Sequence, residues 1–151
     1  MKKLIGEFDC KLDDKGRLKL PALLLKQMEE SSSFTFVVNR GFEANLMMYP
    51  ESIWDKISSQ VDKLNQYIKK NREFVRYFYR GATKMETDTS ERILIPKKLL
   101  EYAGIDKEVV LFAYNDRIEV WSKANYDAVL ADEPFDFSDL AEDVLGNIDQ
   151  I

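Results

Sequence analysis

The sequence predicts an α+β domain with a mainly β core, built from two copies of one unit. Three observations carry this reading. The 151 residues suit a single domain, long enough to bury roughly two-thirds of the unfolded surface without a disulfide or metal. The chain also resembles itself: Asp13-Asp14-Lys15-Gly16-Arg17-Leu18-Lys19-Leu20-Pro21 returns 75 residues later as Asp88-Thr89-Ser90-Glu91-Arg92-Ile93-Leu94-Ile95-Pro96, with Gly6 falling on Gly81 and Leu24 on Leu99. Such in-register similarity is the signature of an internal repeat. Around both copies, short stretches alternate between apolar and polar residues, and longer ones carry apolar residues at steps of three and four.

In chain order, Phe8, Cys10 and Leu12 alternate with Asp9 and Lys11, as a half-buried strand requires. Asp13 to Gly16 reads as a turn, with an Asx-type bond from Asp13 and positive φ at Gly16. Leu18 and Leu20 then alternate with Arg17 and Lys19, and Pro21 opens a short helix through Gln27 with Leu24 and Met28 on one face. The segment Phe36 to Tyr49 gives a strand, a turn and a strand, and it parallels Glu108 to Trp121 at an offset of 72. Pro50 suits a first helical turn and Ser122 an N-cap. Ile53, Ile57, Val61, Leu64 and Ile68 form an amphipathic helical stripe, which the charged Lys69-Lys70-Asn71-Arg72 is expected to break before Phe74, Val75 and Phe78 resume it. In the second copy Pro96 opens the short helix and Gly104 closes it. After Pro134, the residues Phe135, Phe137, Leu140, Val144 and Ile148 have the spacing of a weakly amphipathic helix. The expected organisation is a first repeat over residues 1–57, a connecting helical segment over 58–78, a second repeat over 79–130 and an acidic tail over 131–151.

Composition excludes several chemistries. Without a histidine there is no imidazole base, no Ser-His-Asp triad and no His-ligated metal. Cys10 is the single cysteine, so neither an internal disulfide nor a Cys-based zinc site can form. Neither a Gly-rich phosphate loop nor a nucleophile elbow is present, and Asp13 and Asp14 read as turn chemistry, not as paired catalytic acids or a magnesium site. The expectation is a binding protein, not an enzyme, with no cofactor and no metal. The start of the chain turns polar too soon for a signal peptide, no apolar run approaches ~18 residues, and the thiol is unpaired. These point to the cytoplasm.

The formal net charge of -5 argues at first against nucleic acid as a partner. Its distribution reverses that. From Tyr126 onward there are eight acidic residues and no basic one, whereas the first 126 residues carry 22 basic and 19 acidic residues. The chain is a mildly basic body, +3, with an acidic tail of -8. If Leu18 and Leu20 point inward, a two-stranded ribbon ending at the first turn shows Lys11, Lys15, Arg17 and Lys19 outward. A ribbon of that width fits the DNA major groove, where Arg pairs bidentately with guanine. The second copy is less basic, with Lys84, Glu86, Arg92 and Leu94 at the matching positions.

The duplicated Asp-x3-Arg-[Leu/Ile]-x-[Leu/Ile]-Pro unit, followed by Glu101-Tyr102-Ala103-Gly104-Ile105-Asp106-Lys107-Glu108-Val109-Val110-Leu111 and Arg117-Ile118-Glu119-Val120-Trp121, resembles the MraZ family over residues 4 to about 130. The resemblance implies two repeats like those of the AbrB and MazE DNA-binding domains, joined in one pseudo-twofold, swapped-hairpin β-barrel with flanking helices. It implies a nucleoid-associated transcriptional regulator of the division and cell-wall gene cluster that binds short direct repeats in promoter double-stranded DNA, its subunits forming a homo-oligomeric ring. Carried over by position, DNA contact falls on Lys15, Arg17 and Arg92, while Asp13, Gly16 and Asp88 organise the turns. The chain departs from the family at Glu91, where relatives usually have Gly, and at Ile5, where they often have Arg. The alternative is an antitoxin-like module whose acidic tail wraps a partner protein. The aromatics from Phe74 to Tyr79 are read as core packing first and as a subunit interface second.

Overall fold

The computed structural model describes residues 3–28, 34–133 and 136–146. Within these residues eight strands and six helices follow in chain order: β1 Leu4–Lys11, β2 Arg17–Lys19, α1 Ala22–Lys26, β3 Thr35–Arg40, β4 Leu46–Pro50, α2 Glu51–Asp62, α3 Lys69–Tyr79, β5 Thr83–Glu86, β6 Arg92–Leu94, α4 Lys97–Tyr102, β7 Glu108–Asn115, β8 Arg117–Ser122, α5 Lys123–Ala131 and α6 Phe137–Leu145. The mixed α+β class and the twice-repeated order of elements are those the sequence predicts.

The strands form an open antiparallel sheet, β1-β7-β8-β4-β3-β5, and a separate two-stranded ribbon, β2-β6. The sheet order reads the same when the elements β1 to β4 are exchanged with β5 to β8. Register confirms the symmetry: Leu46 faces Val120 and Met48 faces Ile118 around the central pair Met47–Glu119. In the ribbon, Arg17 faces Leu94 and Lys19 faces Arg92 around Leu18–Ile93. Each repeat completes the other, since β1 pairs with β7, β5 with β3 and β2 with β6.

Two expectations are corrected here. Among the described residues the strands do not close into a barrel; β1 and β5 are the sheet edges. Nor do β1 and β2 form the ribbon, for between them only the bridge Leu12–Leu18 survives. The turn has Asp13 N–H donating to Arg17 O at 2.9 Å, and beyond it Leu20 N–H donates to Glu91 O at 3.0 Å. The chain thus leaves its own first strand and pairs with the other repeat.

The main core lies between sheet and ribbon. Leu18 and Leu20 from the ribbon side, Ile93 and Ile95 from its mate, Leu24 and Leu99 from α1 and α4, and Phe36, Met48, Leu111 and Ile118 from the sheet pack in one cluster. The ribbon is therefore anchored by its inward leucine and isoleucine, and its other face is left outward. The opposite sheet face is covered by helices. Val37, Met47 and Tyr49 meet Trp54 of α2 and Phe78 of α3, while Val110 and Trp121 meet Tyr126 of α5. Strand β4 is buried throughout because it has core on both faces.

The helices show where periodicity misleads. The break in the long apolar pattern falls at residues 63–68, ahead of the lysines, and Lys69 begins α3. Asn65 makes the break, its Oδ1 accepting the Tyr67 N–H at 2.9 Å and its carbonyl accepting from Asn71 Nδ2 at 3.1 Å. Ile68, expected on the stripe, is exposed. Pro50 closes β4 and sits one residue before α2, whereas Ser122 caps α5 as expected, its Oγ accepting from Asn125 N–H at 3.0 Å. Phe78 stacks on Trp54 with ring centroids 4.7 Å apart, so the aromatic run from Phe74 serves packing here. A helix does form in the acidic tail, α6, yet none of its residues is buried, and Phe137, Leu140 and Val144 lie exposed. Pro134, Phe135 and Ile148 lie outside the described residues.

Candidate nucleic-acid interface

Each repeated turn is built around one aspartate. Asp13 Oδ1 accepts the N–H groups of Lys15 at 2.9 Å and Arg17 at 2.8 Å, and Oδ2 accepts from Arg17 Nε at 2.7 Å. Asp88 repeats the pattern: Oδ1 accepts from Ser90 and Arg92 N–H, each at 2.9 Å, and Oδ2 from Arg92 Nε at 2.9 Å. The backbone adds a closing bond, Gly16 N–H to Asp13 O and Glu91 N–H to Asp88 O, both 3.0 Å. A short carboxylate is what such a turn needs, since it reaches the amides two and four residues on.

Those bonds hold both carboxyls below the usual carboxylate range. The Arg17 N–H is the largest cause for Asp13, and the Arg92 N–H for Asp88. Because the folded-state values are depressed, the stabilisation is present above the ordinary Asp range and is lost as pH falls through the depressed values. The turns are therefore intact across neutral pH. The ion pairs themselves are half-exposed and contribute little stability. Their consequence is orientation: the carboxylate takes the Nε edge of each guanidinium, and Arg17 keeps both Nη groups without a partner among the described residues.

The two turns differ at one backbone position. Gly16 has φ +80° and its counterpart Glu91 has φ +61°. For an L side chain that region costs roughly 1–2 kcal/mol. Glu91→Gly is expected to stabilise the fold by about 0.5–1 kcal/mol, the strain relieved being partly offset by the greater freedom of an unfolded glycine. A thermal melt checks this, and an unchanged or lower midpoint would show that Glu91 makes a compensating contact.

Pairing of β2 with β6 brings the predicted residues from both repeats together. Arg17, Lys19 and Arg92 share the outward face of the ribbon, and Lys15 stands exposed on the first turn. Arg92 Nη1 also lies 3.9 Å from Asp13 Oδ2, an ion pair across the repeats. Other expected members are elsewhere. Lys11 is on β1, facing Glu108 of β7, and Lys84 is paired to Glu51 Oε2 at 2.7 Å at the start of α2. Sequence reasoning placed Lys19 beside Arg17 but missed that it faces Arg92. A three-residue strand carries no signal of its partner; the shared motif and the family resemblance join the two copies without saying which strands pair.

The rest of the surface offers little chemistry. A cleft of about 430 Å³ lined by Asp9, Cys10, Lys11, Glu108, Val109 and Lys123 mixes both signs of charge. Burial, with Asp9 adding to it, pushes the Cys10 thiol up to about 11, so at neutral pH it is protonated and a poor nucleophile. Among the described residues no three Cys, Asp or Glu side chains cluster as metal ligands would, and no helix is long and apolar enough to cross a membrane.

Fold and site together define a duplicated α+β protein in which two repeats jointly present one cationic β-ribbon. The family described as "MraZ protein, putative antitoxin-like" matches the chain twice, over residues 4–77 and 78–148. The chain belongs to the MraZ family. It is 43% identical over 147 residues to the transcriptional regulator MraZ of Christiangramia forsetii, covering 97% of this chain and 95% of that protein. It is 40% identical over 149 residues to the transcriptional regulator MraZ of Flavobacterium psychrophilum, covering 98% and 95%. The transcriptional regulator MraZ of Pediococcus pentosaceus is 36% identical over 141 residues, 93% of this chain and 96% of that protein.

Proposed function

We propose that the protein is a DNA-binding transcriptional regulator that docks the β2-β6 ribbon in the major groove of promoter DNA. The observation that carries the reading is the ribbon itself: three cations gathered from two repeats on one narrow outward face, with the turn carboxylates folded back onto the backbone. Names of the relatives support it. Lys15 and Arg92 contact phosphate or base edges, and Arg17 reads a guanine. Residues 1–57 and 79–130 supply the two halves of the interface, 58–78 connect them, and 131–151 form the acidic tail. The protein acts in the cytoplasm on the nucleoid.

One subunit makes two or three base contacts worth ~1–3 kcal/mol each, short of the ~12 kcal/mol that nanomolar binding needs. Several subunits on repeated sites supply the remainder through effective concentration. A ring on short direct repeats meets that need, because a heterologous interface closes on itself; the division and cell-wall genes are the proposed target.

The test is titration of the protein's own upstream DNA at rising salt. The logarithm of the binding constant should fall linearly with the logarithm of salt, by about 0.9 per phosphate neutralised. Binding indifferent to salt would remove phosphate contact from the account. A second reading is favoured by α6, whose Phe137, Leu140 and Val144 lie uncovered on an acidic helix: an antitoxin-like module that wraps a partner protein with its tail. DNA binding that survives removal of residues 131–151 separates the two.

A further inference from the structure

Of the four outward positions on the ribbon, three are cationic and the fourth is Leu94, 59% exposed. Leu94 joins none of the buried apolar clusters among the described residues. In register it lies directly opposite Arg17, and a Cβ placed on Gly16 would stand 4.0 Å from its Cδ1. Leu94 thus belongs spatially to the first turn, beside Lys15, Gly16 and Arg17, although the chain carries it in the second repeat. Its symmetry mate is Lys19, which lies opposite Arg92 in the second turn. The two corners of the ribbon therefore differ in chemistry. One pairs an arginine with an exposed isobutyl group, the other an arginine with a lysine beside Glu91.

We propose that Leu94 is a specificity-determining residue that packs on the C5-methyl group of a thymine next to the base read by Arg17. The proposal rests on the DNA-binding reading of the ribbon. The thymine methyl is the apolar group that a base pair displays in the major groove. Cross-strand side chains stand about 4.5–5.5 Å apart, and successive bases along a strand about 3.4 Å. A ribbon that sets Arg17 over one base therefore sets Leu94 within reach of its neighbour. A lysine there, as at the symmetry-related position, would add phosphate attraction but no preference for the methyl. Leu94 contributes the preference and leaves affinity to Lys15, Arg17 and Lys19.

The experiment uses a duplex selected by the full-length protein from a randomised pool, with each thymine replaced in turn by deoxyuridine, which removes the methyl and nothing else. At one position the unsubstituted protein should bind the uracil duplex about three- to fivefold more weakly, the effect of one buried methyl group. Leu94→Ala should bind thymine and uracil duplexes alike, near the level of the unsubstituted protein on uracil. Leu94→Lys should likewise lose the discrimination while gaining affinity at low salt. Both substitutions are at an exposed site, and a thermal melt confirms that they fold. Indifference of the unsubstituted protein to every uracil, or a penalty that persists in Leu94→Ala, overturns the assignment while leaving dependence on Arg17 intact. Full affinity in Arg17→Ala instead overturns the ribbon as the interface, and Leu94 with it.

Discussion

Arg17→Ala is expected to weaken binding to duplex DNA by roughly 10- to 100-fold, the loss of one guanine contact of about 1–3 kcal/mol, and Arg92→Ala by distinctly less. The two arginines share a motif, a turn and an aspartate, so the difference must come from what surrounds them. Arg17 follows Gly16 and has Lys15 beside it. Its guanidinium is held through Nε by Asp13 at 2.7 Å, so the Nη pair, which a bidentate contact to guanine needs, stays available. Arg92 follows Glu91, and a carboxylate there is repelled by phosphate. Its Nη1 also lies 3.9 Å from Asp13, so part of its donor edge is engaged within the protein. Fluorescence anisotropy on a labelled operator duplex measures both constants, and a thermal melt shows that neither substitution unfolds the chain. Equal losses would mean that the turns read DNA symmetrically and that Glu91 swings clear. No loss in Arg17→Ala would end the ribbon reading.

A double substitution sharpens the point. In Arg17→Ala, Asp13 loses its Nε partner and lies 3.9 Å from Arg92. The two arginines are thus coupled through one carboxylate, and their effects on binding should not add. That coupling follows from cross-repeat pairing and would be absent from a pair of independent hairpins.

Much of this was legible in the sequence, for reasons that particular residues make clear. The strand positions Phe8, Cys10 and Leu18 follow from alternation, the turn from Asp13 and Gly16, and the cap of α5 from Ser122, because each is a local preference. The pairing of β2 with β6 was not legible, since Arg17–Lys19 and Arg92–Leu94 are each three residues long and would fit several partners. Register was only partly so. An offset of 72 sets Phe36 on Glu108, yet hydrogen-bonded partners set Phe36 opposite Pro50 and Val109 opposite Ser122. Pro50 and Ser122 remain 72 apart, so the equivalent of Phe36 is Val109. The discrepancy arises between the strands: residues 41–45 link β3 to β4, whereas Asp116 alone links β7 to β8, with Asn115 at φ +56°. Pattern matching without a gap cannot see a residue exchanged between strand and turn. The helix break was misplaced for a related reason. Charge marks a surface, not an end: α2 stops at Asp62, and the side-chain bond of Asn65 holds the turn that follows.

Trp54→Ala is the substitution expected to cost the most stability, about 3–5 kcal/mol for a buried aromatic deleted without refilling, or a fall in melting midpoint of roughly 10 °C for a domain of this size. Trp54 is the post on which α3 is hung. It stacks on Phe78 at 4.7 Å and meets Tyr79 edge-on at 5.8 Å and Tyr49 at 5.9 Å. Phe78 and Val75 also share the apolar cluster of Val37, Met47 and Val61, and polar bonds add to it: Tyr77 OH donates to Gly41 O at 2.9 Å, and Asn39 Nδ2 donates to Phe78 O at 3.1 Å. Removing the indole should therefore loosen α3 first, seen as faster amide exchange over Lys69–Tyr79, while the ribbon and its core stay protected. The second repeat gives the control. Its sheet face is covered by Tyr126 of α5 against Val110 and Trp121, and α6 buries none of its residues. Leu140→Ala on α6 should then leave the melt within about 0.5 kcal/mol of the unsubstituted protein. Two repeats with matching strands thus differ in how their helices contribute: α3 is part of the fold, whereas α6 is an acidic helix carried outside it. A large loss in Leu140→Ala, or exchange in Trp54→Ala that rises uniformly through the ribbon, would show instead that the chain unfolds as one unit with α6 inside it.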